Sequence, residues 1–292
     1  MIVAHDFNLN LELYTLPAWA KTQVEKRCNV QVFDIGECSP KDVDIFWGNR
    51  ITMPQLQDLP NLKWIHLGCS GTDRLDLNQV LTTHAFSRSS EILSVPVAST
   101  AIMFMYALGR GLQWAMDRPD RSTMDGRLDS MISVPHAKTL VLGRGSIAQE
   151  IQGELGSARC HLMPARRLSP LGIGGYDFVV NALPLREETR EVVNREWFAK
   201  MSSSSYFINV GRGETVNEGD LMQALETKEI MGAGLDVVQN EPMDASNPLV
   251  QMKEVLATPH IAWYSKNYWA DETELFARKL GRYRSKPTTG WV

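Results

Sequence analysis

The sequence predicts an α/β protein built from two doubly wound parallel sheets. Three observations carry this. Short β-rich runs alternate with helical patterns along the chain, as in βαβ units. A glycine-rich turn, Gly143-Arg144-Gly145, separates a buried strand from a helix and opens a second such series. Between the two series lies a long segment, from Pro96 to about Asp117, that is apolar almost all round.

In the first series, residues 30–33, 43–47 and 62–67 read as strands joined by polar or proline-containing connectors. The long segment reads as a helix, with Pro96 suited to its first turn and Ser94 placed to cap it. Its apolar residues, among them Val97, Ala101, Phe104, Leu108, Leu112 and Met116, leave no polar face. Such a helix is expected to be buried between domains or between subunits of a homodimer. After a polar stretch at 118–121, strands are expected at 139–142, 176–181, 206–210, 232–238 and 255–258. Residues 218–228 read as a helix between them, and 268–283 as a closing amphipathic helix. The domain boundaries expected from this pattern give one domain from 1–90 plus 266–292 and another from 91–265.

Composition narrows the function. Thirty Lys and Arg against thirty-four Asp and Glu leave a net charge of -4, which argues against a nucleic-acid partner. The longest uninterrupted apolar run, 101–108, is far shorter than the roughly 20 residues a spanning helix needs, so no membrane role is expected. The opening MIVAHDFNLN has no basic n-region and reads as lacking a secretory signal. Cys28, Cys38, Cys69 and Cys160 show no metal-ligand spacing and fit reduced thiols in a cytoplasmic protein with no metal.

Residues 143–148, Gly-Arg-Gly-Ser-Ile-Ala, match G-x-G-x-x-(G/A) after a strand and at a helix start. Gly143 permits the tight turn and Gly145 the approach of a pyrophosphate. Arg144, Ser146 and Ile147 complete a phosphate-binding edge at the helix N-terminus. An NAD site would carry Asp or Glu about 20 residues on, to bind the ribose 2′-hydroxyl. Around Met163 there is none, and Arg166 and Arg167 stand where a 2′-phosphate would lie. Guanidinium pairs well with phosphate, so NADP(H) is the expected cofactor, with NAD(H) as the lesser one.

Three further stretches place polar residues where packing gives no reason for them. They are 207–213 with Arg212, 235–242 with Glu241, and 257–263 with His260. Each follows an expected strand, where the ligand crevice of a doubly wound sheet lies. With the loop LPLREET at 183–189, these stretches resemble the D-isomer-specific 2-hydroxyacid dehydrogenase family over about residues 62–265. The resemblance implies a Rossmann cofactor domain, a smaller split flavodoxin-like substrate domain and a homodimer built around the long helix. It assigns the family's catalytic arginine, glutamate and histidine to Arg212, Glu241 and His260. Leu183 and Pro184 would run along the cofactor; Asn209, Val210, Gly211, Arg212, Asp236 and His260 would face its nicotinamide end. The early loop at 67–73 would bind a substrate carboxylate through the N–H groups of Ser70, Gly71 and Thr72.

The implied reaction is reversible reduction of a small 2-keto acid, glyoxylate or hydroxypyruvate in kind, to the D-2-hydroxy acid. In it His260 donates the proton, Glu241 steadies the imidazolium, and Arg212 binds the carboxylate and polarises the carbonyl. The early loop lacks the lysine of phosphite-oxidising relatives, which argues against phosphite. Two departures separate the chain from familiar subfamilies: Ala98-Ser99-Thr100 replaces Ala-Glu-His, and 118–136 lacks the usual tryptophan. Trp263 would line the substrate pocket; an alternative within the same chemistry is that Trp263 and Tyr264 instead line a pocket for a larger side chain. A rival reading is a nucleotide-binding regulator similar to the C-terminal-binding corepressors, which share the HIAWYS pattern at 260–265.

Overall fold

The computed structural model describes residues 1–7, 15–116 and 128–292. Asp117, the polar stretch at 118–121 and part of the departure at 118–136 lie outside the described residues. The chain forms two compact units, residues 1–93 with 264–292, and residues 94–263.

In chain order the first strands are β1 (Ile2–His5), β2 (Gln31–Asp34), β3 (Val43–Gly48), β4 (Trp64–Leu67) and β5 (Ala85–Arg88). Then come β6 (Thr139–Leu142), β7 (Cys160–Met163), β8 (Phe178–Asn181), β9 (Tyr206–Asn209), β10 (Gly232–Leu235), β11 (Val255–Ala257) and β12 (Gly290–Trp291). The helices are α1 (Ala18–Cys28), α2 (Met53–Gln57), α3 (Leu77–Thr83), α4 (Ser90–Gly109) and α5 (Leu112–Ala115). The others are α6 (Ser146–Leu155), α7 (Arg195–Phe198), α8 (Glu218–Glu226), α9 (Pro248–Gln251) and α10 (Tyr268–Ser285).

Each unit holds a six-stranded parallel sheet, ordered β12-β5-β4-β3-β1-β2 in the first and β11-β10-β9-β8-β6-β7 in the second. Burial on both faces explains why the strands read as continuous apolar runs rather than alternating ones. In the second unit, Leu140, Leu142, Val179 and Phe207 pack on one face with Leu221 and Leu225 of α8. Val141, Phe178, Val180 and Ile208 pack on the other with Ala101, Phe104, Met105 and Leu108 of α4. The period of two along each strand thus builds both halves of this core.

The first unit closes around aromatic rings. Trp47 and Trp64 both stack on Phe276 of α10, at centroid distances of 4.4 and 5.2 Å. Among them lies the carboxylate of Glu272, with no solvent exposure. It accepts from Trp47 Nε1 at 2.7 Å and Ser89 Oγ at 2.5 Å, and lies 3.3 Å from His66 Nε2. A buried carboxylate survives only with such partners.

Two sequence expectations need correction. The long helix begins at Ser90, not near Pro96, and ends at Gly109. Pro96 lies inside it and Ser94 caps nothing, because burial of Leu93, Val97 and Ala98 outweighs the local penalty of the proline. Within the single chain one part of the helix surface stays open: Val95, Met103 and Tyr106 are exposed on it, as are Leu112 and Met116 just beyond. By length and composition alone α4 is long and apolar enough to cross a membrane; its buried face is core of the second unit. Strands β1, β5 and β12 were not among the expected strands; each is short and pairs in parallel with a neighbour.

Glu91, in the first turn of α4, accepts from Lys279 Nζ at 2.8 Å and Arg278 Nη2 at 2.7 Å. The lysine, and then the arginine, hold its carboxyl at about 2 against a desolvation effect that opposes them. A depressed carboxylate stabilises the fold above its ordinary value, and that stability fades as pH falls from 4.5 toward about 2. Glu91 is 44% exposed, so solvent screens the pair. Glu91→Gln should therefore destabilise by less than about 1 kcal/mol at neutral pH. Thermal melts across pH should show the parent and variant converging as pH drops through that window.

Candidate active site

The strands of the second unit end level. Leu142 pairs with Met163 and Asn181, Asn181 with Asn209, and Leu235 with both Asn209 and Ala257. The loops that follow therefore emerge side by side along one sheet edge. The chain order reverses between β6 and β8, which is where a doubly wound sheet opens a ligand crevice.

At that reversal Gly143 has φ +125°, and a Cβ there would lie 2.9 Å from the Ala182 carbonyl oxygen. Both facts require glycine. Gly145 has open space where a Cβ would be and precedes α6, whose N-terminus no side chain caps. Ser146 and Ile147 thus begin a helix whose first N–H groups suit an anion. A dinucleotide pyrophosphate fits this turn. Gly143 N–H donates to Met163 O at 2.8 Å and ties the turn to the end of β7. Just beyond, Arg166 and Arg167 form an exposed helical turn, and Arg144 is exposed beside Gly143.

The loop carrying Arg212 is held from beneath by Asn209 and by two residues that sequence reasoning did not single out, Asn181 and Thr215. Asn181, fully buried, donates through Nδ2 to Asn209 Oδ1 at 2.9 Å and to Thr215 Oγ1 at 2.7 Å. Its Oδ1 accepts from Leu183 N–H at 3.2 Å, which fixes the start of the loop with Pro184. Asn209 accepts from Gly211 N–H, and both Asn209 Nδ2 (3.2 Å) and Thr215 Oγ1 (2.6 Å) donate to the Arg212 carbonyl. The flanking glycines follow from crowding. A Cβ on Gly211 would lie 2.7 Å from Leu183 O, and one on Gly213 would lie 2.0 Å from the Val238 carbonyl carbon. Val210, Gly211 and Arg212 thus emerge from the end of β9 against a fixed backbone.

Asp236 plays the same part for the loop after β11. Its buried carboxylate accepts from Thr258 Oγ1 at 2.6 Å and from the N–H groups of Ile261 and Ala262 at 3.0 and 3.1 Å. Burial pushes its pKa up, while these donors and His260 oppose that shift. The resemblance places Asn209 and Asp236 at the nicotinamide end; here their side chains are committed inward, to the loops bearing Arg212 and His260.

His260 adopts φ +53°, a left-handed conformation held by its N–H donating to Asp236 O and Thr258 O. Its Nδ1 lies 2.7 Å from Glu241 Oε2, both side chains partly exposed. With Nδ1 engaged, Nε2 has no partner among the described residues and is the nitrogen available to a ligand. Trp263 Nε1 donates to the His260 carbonyl at 3.1 Å.

In the first unit, the loop after β4 presents consecutive unpaired donors. The N–H groups of Ser70, Gly71 and Thr72 bond to no other described residue. Gly68 is packed so closely that a Cβ would lie 2.9 Å from Asn49 Oδ1 and 3.1 Å from the Phe7 ring.

Comparison with known proteins fits this geometry. Residues 173–262 match the family model described as D-isomer specific 2-hydroxyacid dehydrogenase, NAD binding domain. A glyoxylate/hydroxypyruvate reductase B of Escherichia fergusonii is 33% identical over 230 residues, 70% of each chain. Among solved structures, a D-isomer specific 2-hydroxyacid dehydrogenase family protein from Klebsiella pneumoniae superposes with TM-score 0.79 at 20% identity, covering 98% of this chain and 94% of that one. An NADPH-dependent glyoxylate/hydroxypyruvate reductase from Sinorhizobium meliloti, in complex with NADP and malonate, gives 0.76 at 22% identity, covering 99% and 95%. The chain belongs to the D-isomer-specific 2-hydroxyacid dehydrogenase family, whose members are oxidoreductases.

Asn181 connects the loops after β8 and β9, so Asn181→Leu should leave buried partners unsatisfied. It should destabilise by about 1–3 kcal/mol in urea unfolding. Turnover of the folded fraction should fall with it, because the Arg212 loop loses its support.

Proposed function

We propose that the protein reduces a small 2-keto acid, with glyoxylate and hydroxypyruvate the leading substrates, reversibly to the D-2-hydroxy acid, using NADPH in preference to NADH. One observation carries the reading: His260 pairs with Glu241 through Nδ1 at 2.7 Å and keeps Nε2 available, on the same strand-end edge as Arg212 and the nucleotide turn. The names of the Escherichia and Sinorhizobium relatives support the substrate class, and the latter supports the cofactor.

The residues divide the work. Gly143, Gly145 and the first turn of α6 would hold the pyrophosphate, with Leu183 and Pro184 alongside the cofactor and Val210 and Gly211 toward its reactive end. Bound NADPH supplies a hydride to the carbonyl carbon. His260 Nε2–H gives a proton to the carbonyl oxygen as charge develops there, and in oxidation Nε2 takes it back. The Glu241 carboxylate accepts from Nδ1–H, orienting the ring and stabilising its cationic form. Arg212 offers a guanidinium fork to the substrate carboxylate and polarises the carbonyl. The N–H groups of Ser70, Gly71 and Thr72 in the first unit would receive a carboxylate, and Trp263 would stand toward the substrate beside His260, to whose carbonyl it donates. The exposed residues Val95, Met103, Tyr106, Leu112 and Met116 support a homodimer.

NADPH oxidation assayed across glyoxylate, hydroxypyruvate, pyruvate and bulkier 2-keto acids tests the reading. His260→Gln should retain NADPH binding and lose about 10²–10⁴-fold in kcat. Glu241→Gln should lower kcat with little change in the KM for NADPH. A folded His260→Gln protein turning over at the parent rate would remove the catalytic assignment; a parent that binds nucleotide without turnover would favour a regulator.

The cofactor preference has its own test. Replacing Arg166 and Arg167 together by alanine should raise the KM for NADPH about tenfold or more, the scale of a lost charge-assisted contact, and barely move that for NADH. Equal kinetics of the unaltered protein with both nucleotides would contradict the preference.

A further inference from the structure

The loop at 68–72 donates N–H groups, but which way they point is set by what holds its carbonyls. A trans peptide is planar, so the N–H of one residue points opposite the carbonyl of the residue before it. Fixing a carbonyl therefore aims the next N–H. Three carbonyls in this loop are fixed from behind. Tyr268 O–H, on buried Tyr268 of α10, donates to Gly68 O at 2.9 Å. Arg88 Nη1, at the end of β5, donates to Ser70 O at 2.8 Å. The thiol of Cys69 reaches Gly71 O at 3.4 Å, a weaker contact. The Arg88 guanidinium in turn lies over the ring of Trp291 in β12, 5.4 Å from its centroid. Trp291 packs edge-on against Phe86, and β12 is paired in parallel to β5. A cation resting on an indole face is thus aimed at the peptide whose other end is the Gly71 N–H.

We infer that Arg88, seated on Trp291, is a positioning residue for the substrate carboxylate: it holds the Ser70–Gly71 peptide so that the Gly71 N–H faces the ligand. The inference rests on the keto-acid reading above, in which this loop receives the carboxylate. A charged donor on the Ser70 carbonyl also polarises that peptide, making the Gly71 N–H a stronger donor, and its positive charge favours a bound anion. Tyr268 does the same, without charge, for the Cys69 peptide. Because these groups act on carboxylate binding rather than on proton or hydride transfer, their loss should appear in KM and not in kcat.

The test compares Arg88→Met, Arg88→Lys and Trp291→Ala with the parent in steady-state glyoxylate reduction, with NADPH affinity and thermal melting measured on each. Arg88→Met should raise the KM for glyoxylate about tenfold or more, leaving kcat and NADPH affinity near parent values. Arg88→Lys should recover part of that loss, since an ammonium keeps the charge and one donor but not the fork. Trp291 is 56% exposed, so its truncation should fold, and it should raise KM severalfold by unseating the guanidinium. Folded Arg88→Lys and Trp291→Ala proteins whose KM matches the parent would overturn the inference, whether or not Arg88→Met folds. So would equal falls in kcat, NADPH affinity and melting temperature, which mark a merely structural residue. A parent protein that reduces no 2-keto acid would overturn the keto-acid reading itself and the inference with it; the outcomes above, seen in an active parent, touch only the inference.

Discussion

Asn181 sits at the end of a central strand with its amide wholly buried, and the chemistry of the second unit depends on how that amide is satisfied. Its two donors go to Asn209 and Thr215 and its oxygen to Leu183 N–H. Through them one side chain governs the loops after β8 and β9 at once. A buried amide has no water to fall back on, so the alternative to this arrangement is a set of unpaired polar groups. That asymmetry fixes the backbone of the loop bearing Arg212, whose carbonyl accepts from Asn209 and Thr215. Asp236 repeats the device two strands along, with three donors from the segment around His260.

The first unit uses a buried charge to similar effect. Glu272 would be costly in this apolar setting without Trp47 and Ser89 as donors. The seating of α10 that satisfies it also directs Tyr268, one helical turn earlier and on the same face, toward the carbonyl of Gly68. The packing of the closing helix and the shape of the loop after β4 are therefore set together. Both units follow one plan: inert-looking polar residues inside the sheet edge fix the backbone of the loops that leave it.

Much of this was legible in the chain. The strand at 139–142 and the start of the helix at Glu218 were readable because apolar runs and capping residues are local signals. Arg212 and His260 stood out because a charged or ionisable residue beside glycine or proline at a strand end has no packing reason to be there. Asn181, Thr215, Arg88 and Tyr268 gave no such signal. Each looks ordinary in its own segment, and its importance lies in a carbonyl or amide distant in sequence. The start of α4 was misread for the same reason: a proline's local preference was weighed without the buried face that overrides it.

The sequence by itself determined two parallel α/β sheets, the glycine turn with its arginines in place of an acid, and the residue types of the reactive edge. These are properties of spacing and composition along one dimension. Only the tertiary structure decided that the strand ends lie level, that Asn209 and Asp236 turn inward, and that Arg88 reaches a peptide in another loop. The physical reason is that hydrogen-bond satisfaction in a buried edge is settled by the register of strands far apart in the chain, and no local pattern records that register.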